Sequence, residues 1–218
     1  MKVIVFDLDD TLYKEIDFLI SAYHEIGEYL MAEHGLDHNV ADEMLEIYQL
    51  GKNAFKEINN RYILKVPITK YLQIYRNHFP NITLDIDTLK TLAVLWHKGF
   101  ILGLITDGRT VTQRNKIKSL RLDKYIAKDD IIISEEFGNE KPAEENYRFF
   151  MDKYPNSEYW YVGDNNIKDF VTPNNIGWHT ICLLDDGRNI HKDKTIPDSK
   201  YLAKYKVNSL PKILDFVL

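Results

Sequence analysis

Four apolar runs in this sequence end in residues that can do chemistry. Val3-Ile4-Val5-Phe6 is followed by Asp7-Leu8-Asp9-Asp10-Thr11-Leu12, and the run Phe100 to Ile105 by Thr106-Asp107-Gly108. Ser134, then Lys141-Pro142, come after Ile131 to Ile133, and Gly163-Asp164 through Asp169 come after Tyr159 to Val162. Carboxylates can serve as nucleophiles, as proton carriers or as hard oxygen ligands to a divalent cation, and a lysine beside them offsets negative charge. Singly, each segment has a plainer reading. Asp-x-Asp pairs cap helices, Asp-Gly is a common turn dipeptide, and Pro142 suits the first turn of a helix. Asp164 fits an N-cap and Asp169 an exposed acid in a first helical turn. The case rests on the order of the four segments, and on whether the runs lie side by side.

The rest of the chain says that they do. Residues 2–6 read as a strand buried on both faces, as parallel sheets require. From about Asp87 helices and strands alternate. Leu89, Leu92, Ala93 and Trp96 mark a helix ending at Gly99, with a strand to Ile105 and a helix over Val111 to Leu120. Ile131 to Ile133, Tyr159 to Val162 and Trp178 to Leu183 read as strands, with a helix from Glu144 to Tyr154 and another around Leu210 to Leu218. Such alternation implies βαβ units, hence an α/β fold with a doubly wound parallel sheet. Ligands of such sheets bind at the carboxyl ends of the strands, where all four segments fall.

Between Ile16 and Phe79 the spacing is helical throughout, for example Ile16, Leu19, Ile20, Tyr23, Ile26 and Leu30, or Ile68, Tyr71, Leu72 and Tyr75 after Pro67. The expected organisation is therefore a catalytic core of residues 1–14 and 87–218, interrupted by an all-α cap of residues 15–86.

With these segments in this order, the chain resembles the haloacid dehalogenase-like hydrolase superfamily, most of whose members are phosphatases. Asp7 to Leu12 resembles its first motif, Thr106 its second, Lys141 its third, and Gly163-Asp164 through Asp169 its fourth. The helical insert sits where that family places its smaller type of cap. The resemblance implies Mg²⁺-dependent hydrolysis of a small-molecule phosphate monoester through an aspartyl-phosphate. Asp7 would attack phosphorus and bind Mg²⁺; Asp9 would carry the proton and lend its backbone carbonyl to the metal. Thr106 and the amides of Asp107 and Gly108 would hold phosphate oxygens, and Lys141 would neutralise charge on Asp7 and the phosphoryl group. Asp164 would be a further metal ligand, with Asp169 orienting the metal's water shell or Lys141. Asp9 and the Asp164/Asp169 pair set the chain apart from the hydrolytic dehalogenases of the family. Two alternatives stay open: a phosphotransfer enzyme such as a sugar-phosphate mutase, and a non-catalytic phosphoacceptor or binding module. Asp10-Thr11-Leu12, where many mutases carry Gly-Val, leans towards a phosphatase.

Composition excludes other classes. With 28 basic against 33 acidic residues and a net charge of −5, the chain has no electrostatic footprint for nucleic acid. No apolar stretch approaches the ~18 residues of a membrane span, and no secretory leader is visible, so a cytoplasmic location is expected. The one cysteine, Cys182, is expected buried in a late strand. His34 and His38 have i, i+4 spacing, but Gly35 between them reads as a helix end. The tyrosines of the insert (Tyr23, Tyr48, Tyr62, Tyr71, Tyr75) read as core, Arg109 as facing substrate or water, and the polar stretch Asp185 to Lys200 as a solvated loop.

Overall fold

The computed structural model describes residues 1–191 and 198–218. Strand β1 (Lys2–Phe6) leads into helices α1 (Glu15–His34), α2 (Ala41–Gln49), α3 (Ala54–Arg61), α4 (Ile68–Asn77) and α5 (Ile86–His97). Strands and helices then alternate: β2 (Ile101–Thr106), α6 (Thr110–Ser119), β3 (Ile131–Ile133), α7 (Ser134–Phe137), α8 (Glu144–Lys153), β4 (Glu158–Gly163), α9 (Val171–Asn175) and β5 (His179–Leu183). The chain ends with β6 (Tyr205–Val207), a 3₁₀ turn over Leu210–Ile213 and α10 (Leu214–Val217).

The sheet is parallel throughout, in the order β3-β2-β1-β4-β5-β6. It runs outward from β1 to β3 on one side and from β4 to β6 on the other, so the switch point lies between β1 and β4, where such sheets open a crevice. Phe6 stands opposite both Leu104 and Val162. That register brings the ends of three strands level, and the residues after them emerge together.

Alternation along β1 divides the core. Ile4 and Phe6 face one apolar cluster, with Leu92 and Leu95 of α5 and Ile117 of α6. Val3 and Val5 face the other, with Tyr147 and Phe150 of α8 and Trp178. Helices on both faces explain why the strand reads as an unbroken apolar run.

The helical block has its own apolar cluster, built from Leu19, Tyr23, Ile26 and Leu30 of α1, Met44 and Ile47 of α2, Ile58 of α3 and Tyr71 of α4. The steps of three and four residues put one stripe of α1 inward. Phe18 faces away from that stripe, into the sheet cluster beside Leu12 and Tyr13. The first turn of α1 is thus anchored on the core, while the rest packs on α2 and α4.

Gly35 closes α1 in the left-handed conformation (φ 69°) and donates its N–H to Leu30 O. His34 then bonds Tyr29 Oη, whereas His38 bonds Asp37 and Glu43, so the two histidines do not form a ligand pair. Tyr23 and Tyr71 are buried in the block's core, and Cys182 is buried in β5. No helix of the described residues is long and apolar enough to cross a membrane.

Candidate active site

The turn that carries the first carboxylates is held by local bonds. Leu12 N–H donates to Leu8 O at 3.0 Å, and Asp10 takes a left-handed φ of 59°, which a short polar side chain tolerates. The buried Asp10 carboxylate accepts from the N–H of Glu15 (2.9 Å) and of Ile190 (3.0 Å). It therefore ties down the start of α1 and a late loop, and keeps both against the end of β1.

Asp7 is buried at that end, and Lys141 Nζ reaches it from the segment between α7 and α8. The ammonium lies 2.6 Å from Asp7 Oδ1 and 2.7 Å from Asp169 Oδ1, so one cation bridges two carboxylates. Asp169 is fully enclosed, and it also accepts from Asn165 N–H at 2.9 Å. A Cβ on residue 163 would fall 2.3 Å from Asp169 Oδ2, so only glycine lets this carboxylate pack on the end of β4. Asp7, Asp164 and Asp169 each present a carboxylate oxygen within 4.8 Å of the others.

Three acids on one lysine leave uncompensated negative charge. Burial, then the Asp7 and Asp169 carboxylates, push Asp164 up to about 9. Burial raises Asp7 to about 7, the pull of Lys141 notwithstanding. Burial opposes the charge on Lys141 as well, but Asp169 and Asp7 outweigh it and hold the ammonium well above its ordinary value. Closely set, hard oxygen donors that cannot all ionise alone fit a small divalent cation.

This makes a test in pH. Both carboxyls are raised above their unfolded value of 3.8, so their contribution to stability is full below about pH 4 and is lost as pH rises through about 7 and about 9. In chelator the melting temperature is expected to fall between about pH 6 and about pH 9. Mg²⁺ held by the deprotonated acids would raise it by several degrees more at the upper end than at the lower. A Mg²⁺ shift independent of pH, read by differential scanning calorimetry, would contradict a cation at these acids.

Asp9 points to a different set of partners. Its Oδ1 accepts from Lys116 Nζ at 2.7 Å and from Tyr13 Oη, and its Oδ2 accepts from Gln113 Nε2 at 2.9 Å. Burial works against the charge, but Lys116 foremost, then Tyr13 and Gln113, hold the carboxyl below its usual range. Glu15 lies 3.8 Å from the same ammonium and is raised to about 8, by burial first and Asp9 next.

The turn after β2 supplies the remaining groups. Thr106 is buried, with Oγ1 accepting from Gln113 Nε2 at 2.5 Å. Gly108 has φ 150°, and its N–H donates to Ser134 Oγ at 2.9 Å. The Asp107 carboxylate accepts from the backbone N–H of Lys141 (2.9 Å) and from Lys168 Nζ (3.0 Å). It braces the segment that presents Lys141, which lies in the turn ahead of α8 and not in that helix's first turn. Arg109 points outward and lies 3.8 Å from Glu135.

A cavity of about 250 Å³ opens between these groups, lined by Asp7, Asp9, Thr106, Asp107, Lys141 and Asp164 among others. Of the residues singled out from the sequence, Asp7, Asp9, Thr106, Lys141, Asp164 and Asp169 are thus brought together at one strand edge. Gly108 contributes through the turn and not through a free amide.

Several neighbours carried no sequence signal of their own, Lys168 lying unmarked within the fourth segment. Glu15, Lys168 and His191 line the same cavity, and Gln113 and Lys116 sit behind it. The expectation of a solvated loop from Asp185 to Lys200 fails at Asn189, which is buried; residues 192–197 of that stretch lie outside the described residues. Asn189 Nδ2 donates to Asp164 Oδ2 at 3.0 Å, and its Oδ1 accepts from Lys14 Nζ at 2.7 Å. A polar side chain goes inside here because both ends are satisfied, which composition does not reveal.

Residues 4–183 match the family of haloacid dehalogenase-like hydrolases. Over its whole length the chain is 31% identical to a glyceraldehyde 3-phosphate phosphatase of Methanocaldococcus jannaschii, and spans 97% of that protein. A protein of the same name from Pyrococcus furiosus is 27% identical over 99% of this chain and 92% of its own length. The magnesium-bound HAD-hydrolase YfnB of Bacillus subtilis shares the fold, with a TM-score of 0.66 at 17% identity over 98% of this chain and 97% of that one. The chain belongs to the haloacid dehalogenase-like hydrolase family. Within that family it is an enzyme of the phosphatase type.

Proposed function

We propose that this phosphatase hydrolyses small phosphate monoesters of triose-phosphate size through an aspartyl-phosphate on Asp7. The observation that carries the reading is the buried Asp7–Lys141–Asp169 triad opening on a cavity that Thr106 and Asp164 also line. Asp7, Asp164 and Asp169 would hold Mg²⁺, with the backbone carbonyl of Asp9 as a further ligand. When bound, Mg²⁺ offsets the charge of a phosphoryl group beside an anionic nucleophile.

An Asp7 carboxylate oxygen attacks phosphorus, and the bond from phosphorus to the substrate oxygen breaks. Asp9, which must first take up a proton against the hold of Lys116, Tyr13 and Gln113, hands it to the departing oxygen, which leaves as the alcohol. A water molecule then attacks phosphorus, Asp9 takes up its proton, and the acyl-phosphate bond breaks to release inorganic phosphate and restore Asp7. Lys141 stays charged throughout and holds the Asp7 carboxylate in place for attack. Thr106 donates to a phosphoryl oxygen. Residues 15–86 act as a lid over the strand edge, excluding bulk water and limiting substrate size.

The name of the curated relatives, glyceraldehyde 3-phosphate phosphatase, favours a three-carbon ester over a nucleotide. The test is release of inorganic phosphate from triose phosphates, sugar phosphates, nucleotides and p-nitrophenyl phosphate, with Mg²⁺ and with chelator. Metal-dependent turnover, best on a triose phosphate and steady without any acceptor, is the expected result; turnover that requires a sugar acceptor would instead indicate a mutase.

Leaving groups separate the proton step from the rest. Nitrophenolate departs without a proton and an alkoxide does not, so Asp9→Asn is expected to lower kcat on an alkyl phosphate by roughly 10²–10⁴-fold. On p-nitrophenyl phosphate the loss in the phosphoryl-transfer step, read as a pre-steady-state burst, should be far smaller. Equal losses on both esters would remove Asp9 from the role of acid.

A further inference from the structure

Gln113 lies behind the cavity, on the face of α6 that turns towards the end of β1. It is 2% exposed, and its side-chain Nε2 bonds both Asp9 Oδ2 (2.9 Å) and Thr106 Oγ1 (2.5 Å). We propose that Gln113 is a positioning residue that fixes the Thr106 hydroxyl as a donor to the phosphoryl group and ties it to the Asp9 carboxylate.

The direction of each bond follows from the groups present. A carboxylate only accepts, so the amide edge facing Asp9 must be the NH₂. Its two N–H bonds are then both committed, one to Asp9 and one to Thr106. A hydroxyl has one proton and two lone pairs. With a lone pair of Oγ1 occupied by Gln113, its own proton is free to point elsewhere, and the cavity that Thr106 lines is where an acceptor would sit. Without Gln113 that hydroxyl is a rotor, and it can equally turn its proton towards Asp9.

The surroundings keep Gln113 in this pose. Lys116, one turn further along α6 and 3% exposed, holds the other oxygen of Asp9 at 2.7 Å. The same ammonium lies 4.4 Å from the centre of the Phe18 ring, which fills the space on its far side. Gly108 makes room: a Cβ there would stand 3.1 Å from both Cγ and Cδ of Gln113. The glycine of the turn, the glutamine five residues later and the lysine three beyond it therefore act as one device. It links the group that would grip phosphate to the group that would move the proton.

This rests on the phosphatase reading above, in which Thr106 faces the phosphoryl group. The experiment is a double-mutant cycle between Gln113 and Thr106, read by calorimetric binding of orthovanadate in the presence of Mg²⁺. In Gln113→Glu the new carboxyl shares one proton with Asp9, and its oxygen offers Thr106 only a lone pair, so the Thr106 proton turns back towards residue 113. Orthovanadate binding is expected to weaken about tenfold or more, the loss of a hydrogen bond to a charged group. In a Thr106→Val background the same substitution should change binding by less than about twofold, since there is no hydroxyl left to redirect. Gln113→Leu frees the rotor without reversing it. It should show a smaller loss that likewise vanishes with Thr106→Val, which keeps the test available if the buried acid of Gln113→Glu prevents folding.

A purely structural role predicts equal weakening in both backgrounds, and that result would overturn the proposal, as would unchanged binding in both Gln113 variants. If Thr106→Val alone binds orthovanadate as wild type does, it is the phosphate-gripping role of Thr106 that fails, and the role of Gln113 falls with it.

Discussion

Asp7→Asn is expected to leave a folded protein that releases phosphate at least roughly 10⁴-fold more slowly than wild type, because a carboxamide cannot form the acyl-phosphate. The variant exchanges one oxygen of the carboxylate that Lys141 holds at 2.6 Å for an NH₂ group, so shape and volume are kept. Its effect on stability should run the other way. The Asp7 carboxyl is raised to about 7, chiefly by burial, so ionising it costs the cation-free fold free energy above that pH. In chelator above about pH 7, Asp7→Asn is therefore expected to melt no lower than wild type. Added Mg²⁺ should lift its melting temperature less than it lifts wild type, since one anionic ligand has gone. Acid quench during turnover, followed by peptide mass analysis, should find a phosphoryl adduct on the peptide carrying Asp7 in wild type and none in the variant. A variant that keeps more than a few per cent of turnover would sink the covalent route, whatever its stability.

The parts of this site legible in the sequence are those that sit at strand ends. Asp7, Thr106 and Asp164 follow apolar runs, and a parallel sheet with β1 and β4 at its switch point brings such positions level. Lys141 was visible only through its place in the order, because nothing local distinguishes it from other lysines. The residues behind the site were invisible for a different reason. Gln113 and Lys116 occupy one face of α6 at i, i+3, where two polar residues read as a solvated surface. They are buried because Asp9 and Thr106 satisfy them, and that pairing spans 104 residues in one case and 107 in another. Asn189 is the same case in a loop, with partners at Lys14 and Asp164. The helical block was legible as helices, since its apolar residues recur every three or four positions. Helix α3 buries only Ala54 and Ile58, too few to mark its span, and β6 is three residues at a sheet edge, too short for a pattern. Polar residues that are buried by each other leave no periodicity, and most of the missed site residues are of that kind.

Lys141 combines both sorts of dependence, and its removal should be the most damaging single change in the molecule. Its ammonium is the only cation within 4 Å of Asp7 or Asp169 among the described residues, and all three side chains are buried. Lys141→Met keeps the volume and deletes the charge. Breaking a buried pair from one side typically costs 3–5 kcal/mol, about 6–20 °C in melting temperature for a chain of this length. The loss should depend on pH with a definite sign. Lys141 favours the ionised forms of Asp7 and Asp164, so without it these two carboxyls ionise at still higher pH. The variant should therefore approach wild-type stability near about pH 5, where Asp7 and Asp164 are protonated, and fall furthest behind near about pH 8. Mg²⁺ should recover part of the difference at pH 8, because it supplies positive charge to the same oxygens. Activity should not recover with it. The phosphoryl group would lose a fixed cation, at a cost of roughly 10²–10³-fold or more in kcat, and Asp7 would lose the partner that holds its carboxylate. Lys141→Arg separates the two contributions, since a planar guanidinium keeps the charge but cannot occupy the space of an ammonium wedged between two carboxylates. It is expected to regain stability at pH 8 without regaining turnover. Should Lys141→Met melt with wild type at both pH values, the bridge is not what holds Asp7 and Asp169 together.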